Sequence, residues 1–450
     1  MTITITLTDD TGLISDKATA WVAGWINAGD SSLQVLNSAG EFAALPTDGK
    51  VPFFAVADIP SITLDVATNG NDRLLFVVSK DTPSGLTVTS HNPIQFTQYP
   101  YVDPPGVSSP GPFDVFEFGM DAQFDLSAVN GFALNLRFSA PDGSSGTVDY
   151  GVTKGVTRAQ IASAYKAFIA NETKAFAGAG DFGELLYDAP ISSGAYQPPL
   201  VAGQYFAICD PNDMLAAKTA NYTSTTTDPL ATFWDKTLTD FFAEGNILSI
   251  NLSANPTDPN IYGGMAHKHT NPVTGVASTA YQLSNGTNTY LYFLPLAKTG
   301  DAAPGLTGAQ YVFQQAFGNL TPAGSAGDAG LLQDAIWEAL CRGVAQDGVM
   351  IALEDTGTAT GFSTTKWNDW KNWYKAGRAC HFYGKFLHCS DIDGNDSRIS
   401  GKPPIFYGGA AYGYSMDEDP LGPYSGPTVP SKTPFNVSAG TVSVTVGAWS

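Results

Sequence analysis

The first 150 residues show the short apolar runs and the two-residue alternation that are typical of β-strands. These runs are rich in β-branched residues and are bounded by clusters of Gly, Pro, Asn or Asp. They are TITITLT (2–8), VPFFAVADI (51–59), SITLDVA (61–67), RLLFVVS (73–79) and GLTVTS (85–90). Their regular spacing, without a helical period, predicts a β-sandwich or a β-barrel.

The period changes near residue 156, where a mixed α/β part begins. A helix is predicted at 157–176, because apolar residues recur at helical spacing after Thr157. Asp228 as N-cap and Pro229 at the first helical position predict a second helix at 228–245. Further helices are predicted at 329–345 and around 364–389, and further strands at 246–253, 279–284, 289–296, 403–420 and 442–449.

The charge and the lengths of the apolar stretches argue against nucleic-acid and membrane partners. The chain has 42 acidic and 22 basic residues, a net charge of −20, and no run of Lys or Arg. A binder of nucleic-acid phosphates needs such a run, so no nucleic acid is expected, and a neutral or cationic partner is favoured. No apolar stretch is long enough to span a membrane, and MTITITLTDD has no signal-peptide character.

Four short motifs are weak indicators of a site. The GAGDFG glycines at 178–183 follow a predicted helix, which indicates a helix-ending loop rather than a dinucleotide site. DIDGND at 391–396 lacks the glycine placement and the Glu of a calcium loop, and a solvated turn is favoured. His267 and His269 would face one side of a strand without an identifiable third ligand, so neither a metal nor a cofactor is expected. For Cys380 and Cys389, a disulfide and two free buried thiols are both open.

Residues 112–138 combine carboxylates with aromatic rings. Glu117 lies between Phe116 and Phe118 on a predicted strand, so its side chain should point away from both rings. Asp121 and Asp125 follow across a turn-like break. Aromatic rings stack on sugars, and paired acids divide the general-acid and general-base roles of glycoside hydrolysis, so this composition suits a carbohydrate cleft.

The same segment resembles the thaumatin-like signature, an acid–aromatic pair followed by Asp-aliphatic-Ser and a Gly-Phe turn. The matching elements are Glu117-Phe118, Asp125-Leu126-Ser127 and Asn130-Gly131-Phe132-Ala133. Within this architecture the chain resembles glycoside hydrolase family 64, the laminaripentaose-producing β-1,3-glucanases. The further resemblances are SAGEFAALP (38–46), DAIWEALCRGVA (334–345), HFYGKFLH (381–388) and AAYGYSMDED (410–419), in the family's order.

This resemblance implies a thaumatin-like β-sandwich or barrel domain beside a mixed α/β domain, with an open groove between them. The first would comprise residues 1–155 together with about 402–450, and the second residues 156–401. A neutral β-1,3-glucan would bind in the groove of an extracellular monomer, without a membrane or a cofactor.

The resemblance also implies roles for single residues. Family members invert the anomeric carbon with a Glu acid and an Asp base, and Glu117 matches the acid. Asn130 stands at the base position, and an amide is a very poor base.

Three explanations are open: Asp125 or Asp121 is the base, an acid of the closing segment is the base, or the protein binds glucan without cleaving it. The closing acids are Asp417, Glu418 and Asp419. The implied sugar contacts are Gly119, Asp121, Ser127, Asp417, Glu418 and Phe124, the last as a stacking ring.

Overall fold

The computed structural model describes the chain apart from residue 1 and 24 internal segments. The internal segments are 14–17, 29–31, 60, 66–67, 69–71, 85, 92–93, 97–110, 119–122, 129–130, 142–145, 188–206, 220–228, 254–259, 273–274, 296–307, 314–321, 323–325, 347–348, 354–356, 364–366, 368–369, 408–434 and 438. Among the residues that it does describe, no helix has the length and apolar character needed to cross a membrane.

The strands and helices are numbered in chain order. The strands are β1 (Ile3–Asp9), β2 (Thr19–Asn27), β3 (Leu33–Leu36), β4 (Phe42–Ala44), β5 (Phe54–Ala55), β6 (Ser61–Leu64), β7 (Asp72–Ser79), β8 (Val88–His91), β9 (Ile94–Phe96), β10 (Phe113–Phe118), β11 (Gln123–Ser127), β12 (Gly131–Phe132), β13 (Leu136–Pro141), β14 (Thr147–Gly151), β15 (Leu186–Tyr187), β16 (Ala207–Cys209), β17 (Ile247–Asn251), β18 (Ile261–Thr270), β19 (Ala277–Ser284), β20 (Thr289–Phe293), β21 (Val349–Leu353), β22 (Gly357–Ser363), β23 (Phe435–Asn436) and β24 (Gly440–Val446). The helices are α1 (Arg158–Ala175), α2 (Pro211–Thr219), α3 (Pro229–Thr232), α4 (Asp235–Phe241), α5 (Gly308–Phe313), α6 (Asp328–Cys341), α7 (Phe382–Cys389) and α8 (Ser397–Ser400).

Strands from both ends of the chain build a two-sheet sandwich. One sheet has the order β14-β13-β24-β1-β6, and the other has the order β23-β11-β10-β7-β2-β3-β4, with β5 beside β2. The strand alternation predicted for the first residues is confirmed, since Ile3, Ile5 and Leu7 of β1 are buried. Phe116 of β10 packs edge-on against Phe138 of β13, with ring centroids 5.2 Å apart, so the core lies between the two sheets.

A further, mixed sheet has the order β20-β19-β18-β17-β22-β21. The start of helix α6 contacts this sheet, where Tyr262 donates a hydrogen bond of 2.6 Å to Asp328. The helix predicted at 157–176 is confirmed as α1. It begins with a capping box, in which Thr157 accepts from the Gln160 amide and the Gln160 side chain accepts from the Thr157 amide. The chain is therefore mainly β with a mixed α/β part.

Two of the predicted helices differ from the structure. In place of one helix over 228–245, the described residues form two short helices, α3 and α4, and the predicted N-cap Asp228 lies outside the described residues. The helix predicted around 364–389 is not continuous: α7 covers its last part, and a separate 3-10 turn lies at Trp370–Asn372. Tyr374 has a φ of 56°, which a right-handed helix cannot accommodate, and α7 starts afresh at His381, whose Nδ1 accepts from the Gly384 amide at 3.1 Å.

The weak motifs are parts of the scaffold. GAGDFG falls in a 3-10 segment, Ala177–Leu185, directly after α1, and Asp391 of DIDGND closes a turn by accepting from the Asp393 and Asn395 amides. All four cysteines are buried free thiols. His267 and His269 lie two positions apart on β18, and no group of three or more metal-type ligands occurs in the described part of the chain.

Candidate functional site

Glu117 lies on β10, near the end of a central strand of the larger sandwich sheet. Its neighbours Phe116 and Phe118 are buried in the sandwich core, whereas the Glu117 side chain is 31% exposed. The alternation predicted from the sequence is therefore confirmed. Glu117 points out of the core, to the other face of the sheet.

The register of the strands brings Glu117 between two other charged side chains. It lies directly opposite Asp125 on β11 and directly opposite Arg73 on β7. Directly opposed residues of antiparallel strands point to the same face, with Cβ atoms about 4.5–5.5 Å apart. Asp125, Glu117 and Arg73 are therefore side by side, and we call these three residues the charged row.

Arg73 makes an ion pair with Glu117. The distance from Arg73 Nη2 to Glu117 Oε1 is 2.7 Å, and the two side chains are 32% and 31% exposed. The Arg73 Nε is shielded from solvent and has no hydrogen-bond partner among the described residues. Sequence reasoning missed Arg73, although a cation at the start of the apolar run RLLFVVS was the available signal.

The charged row lies on a mostly apolar face of the sheet. In the same register Arg73 faces Trp25 of β2, which in turn faces Val35 of β3, and both are buried. Leu75, two positions along β7, is buried on the same face. Charged side chains among buried apolar neighbours lose hydration, and such breaks in an apolar pattern are concentrated at functional sites.

Phe124 has the opposite orientation from the one that its predicted role requires. Its side chain is 0% exposed, and its ring centroid lies 5.8 Å from that of Phe116 and 6.3 Å from that of Phe118. The prediction of a sugar-stacking ring at Phe124 is therefore wrong. Since Asp125 points out of the core, its neighbour on the strand must point into it.

Two buried carboxyl groups lie on the core side of the same two strands, β10 and β7. Asp114 of β10 accepts hydrogen bonds from the Ala133 and Leu134 amides, the second at 2.6 Å. Asp72, the residue before Arg73, is 1% exposed and accepts from the Asn27 amide at 2.7 Å. Burial raises the pKa of Asp72 to about 6.

The remaining predicted site residues stay predictions. Ser127 lies on β11 opposite Val115, in the row next to Glu117. The others lie outside the described residues and are Gly119, Asp121, Asn130, Asp417, Glu418 and Asp419.

No family model matches the sequence, and no curated protein matches it. Solved structures do match over the whole chain. A β-1,3-glucanase domain from Clostridium beijerinckii has a TM-score of 0.59 and 15% identity, covering 99% of this chain and 98% of that one. A laminaripentaose-producing β-1,3-glucanase in complex with laminaritetraose has a TM-score of 0.55 and 13% identity, covering 100% and 99%. The chain therefore has the fold of the glycoside hydrolase family 64 β-1,3-glucanases.

Proposed function

We propose that this chain hydrolyses β-1,3-glucan within the polymer, and that the reaction takes place at the charged row. The observation that carries the proposal is the cross-strand alignment of two carboxylates and a guanidinium on a mostly apolar sheet face. The fold supports the substrate class, since one similar structure holds laminaritetraose. A net charge of −20 suits a neutral polymer better than an acidic one.

Glycoside hydrolysis needs one carboxyl group to protonate the departing oxygen and a second to activate water or attack the sugar. The resemblance implies inversion with Glu117 as the acid. Asp125 is the carboxylate that the register places beside Glu117. Asp121 and the closing acids remain the other candidates for the second carboxylate. We also propose that the protein is an extracellular monomer, as the resemblance implies.

A second candidate function is glucan binding without cleavage. The observation that favours it is Asn130, which stands where the family has its base, since an amide does not accept a proton at neutral pH. In this alternative the Arg73–Glu117 pair would still present hydrogen-bonding groups to sugar hydroxyls.

Product analysis on laminarin and curdlan separates the two functions. We expect oligosaccharides from the wild type and, for Glu117→Gln, a rate lower by about 10²–10⁴-fold, the usual contribution of a positioned acid or base. Glu41→Gln, at an exposed site on the turn between β3 and β4, is the matched control and should cleave like the wild type. Sedimentation with curdlan but no product from the wild type would favour the binding protein.

A further inference from the structure

Ala133, directly after β12, is held between two buried charged side chains. Asp114 of β10 accepts hydrogen bonds from the amides of Ala133 at 3.0 Å and of Leu134 at 2.6 Å. Arg158, the first residue of α1, donates from Nε to the Ala133 carbonyl. Asp114 and Arg158 are each 1% exposed. A carboxylate and a guanidinium therefore bind the two sides of one residue, and we call Asp114, Ala133 and Arg158 the buried bridge.

The buried bridge begins on the strand that carries Glu117. Asp114 precedes Glu117 on β10 by about 10 Å along the strand, and its side chain is buried in the core, whereas that of Glu117 points to the other face. Ala133 lies on the chain that follows β11, whose Asp125 is the cross-strand partner of Glu117. The bridge therefore ties β10 to the chain after β11, in addition to the strand pairing at the charged row.

A further buried side chain holds the end of β11. Tyr383 of α7 is 0% exposed and donates a hydrogen bond of 2.8 Å to the carbonyl of Ala128, the residue directly after β11. Side chains from β10, α1 and α7 therefore fix the backbone close to the charged row from inside the protein.

Stability alone does not require the buried bridge. A cation at the first position of a helix opposes the positive end of the helix dipole, and Arg158 occupies that position in α1. Burying two charges also costs hydration, and a well-packed apolar pair of similar volume is often as stable. What the bridge adds is a fixed backbone position, because directional hydrogen bonds hold both the amide and the carbonyl of Ala133. Such departures from local rules are concentrated at functional sites.

We infer that Asp114 and Arg158 are positioning residues of the charged row. Both are buried, so they act through Ala133 rather than through the substrate. They hold β10 against the chain after β11, so that Glu117 keeps its place relative to β11. A misplacement of about 1 Å at reacting groups can lower a rate by about 10²-fold. This inference rests on the proposed hydrolysis and deepens it.

Kinetics on laminarin separate a positioning role from a purely structural one. For Asp114→Asn and for Arg158→Met we expect kcat to fall by about 10–10²-fold and KM to stay within about threefold of the wild-type value, because the groups that bind the polymer are unchanged. Asp391→Asn is the matched control, because Asp391 is also 0% exposed and accepts from two backbone amides, in the turn after α7. It should lower the denaturant midpoint and leave kcat unchanged.

The double variant tests whether the two charges act as one unit. Removing either charge breaks the bridge, so the double variant should lose no more kcat than the more impaired single variant. Multiplied losses would overturn the bridge, and an equal loss of kcat in Asp391→Asn would overturn the positioning role.

Wild-type kcat in folded Asp114→Asn and Arg158→Met would overturn the inference while leaving the proposed hydrolysis intact. A wild type without activity on laminarin would overturn both. Should these variants fail to fold, Arg158→Lys keeps the charge but not the Nε donor, and the same loss of kcat at an unchanged KM is expected.

Discussion

Asp72 connects the core to the charged row, and its replacement should change how stability depends on pH. Its carboxyl group is 1% exposed, and burial raises its pKa from 3.8 to about 6. Between these values the folded chain holds a proton that the unfolded chain has lost. The stability that this proton contributes is present below pH 4 and is lost as the pH rises through 6.

The shift of about 2 units corresponds to about 3 kcal/mol at its full extent, of which about 2–3 kcal/mol falls between pH 4 and pH 7.5. Asp72→Asn cannot titrate and should lack this term. We therefore expect the free energy of unfolding of Asp72→Asn, minus that of the wild type, to rise by about 2–3 kcal/mol over that pH interval.

The measurement is denaturant unfolding of both proteins at several pH values. Taking the difference at each pH removes the constant cost of any altered hydrogen bond to the Asn27 amide. Asp149→Asn, at an exposed position of β14, is the control for the carboxylate-to-amide change. A difference for Asp72→Asn that does not change with pH would refute the reasoning that burial sets this pKa.

Three further substitutions test the scaffold by denaturant unfolding. Thr157→Ala removes the capping box of α1 and should cost about 1 kcal/mol, whereas an unchanged midpoint would contradict the cap. Gly394→Ala should cost about 2–5 kcal/mol, because φ is 73° there and an added Cβ would lie 2.3 Å from the Phe168 amide nitrogen. Wild-type stability of this variant would contradict the close contact between Gly394 and Phe168. Arg342→Met removes the buried partner that contacts Glu338 at 3.2 Å and should cost about 3–5 kcal/mol. The double variant Arg342→Met with Glu338→Met should lose less stability than Arg342→Met alone. Additive losses would contradict a stabilising contact between Arg342 and Glu338.

Local patterns predicted the parts of the fold whose structure is set by neighbouring residues. The alternation in TITITLT gave β1, and Thr157 with the helical period after it gave α1. The break near Tyr374 was not predictable, because a left-handed residue that is neither Gly nor Asn carries no local signal. Its position depends on packing, since its amide donates to the Arg342 carbonyl.

The candidate site shows the same division. Glu117 follows from the alternation along one strand, and the same rule, applied to Asp125, would have placed Phe124 in the core. The cation at Arg73 is visible in the sequence, but its contact with Glu117 follows from no local rule, because it depends on how β7 pairs with a strand far along the chain. Register of this kind is fixed by the buried faces of a whole sheet, and a single sequence does not show it.

The most direct test of the account is product analysis of laminarin after incubation with the purified wild type, beside Glu117→Gln and Asp125→Asn. The account predicts laminari-oligosaccharides from the wild type and a rate about 10²–10⁴-fold lower from each variant. Unchanged cleavage by either variant, with normal folding, would contradict a hydrolytic role for the charged row.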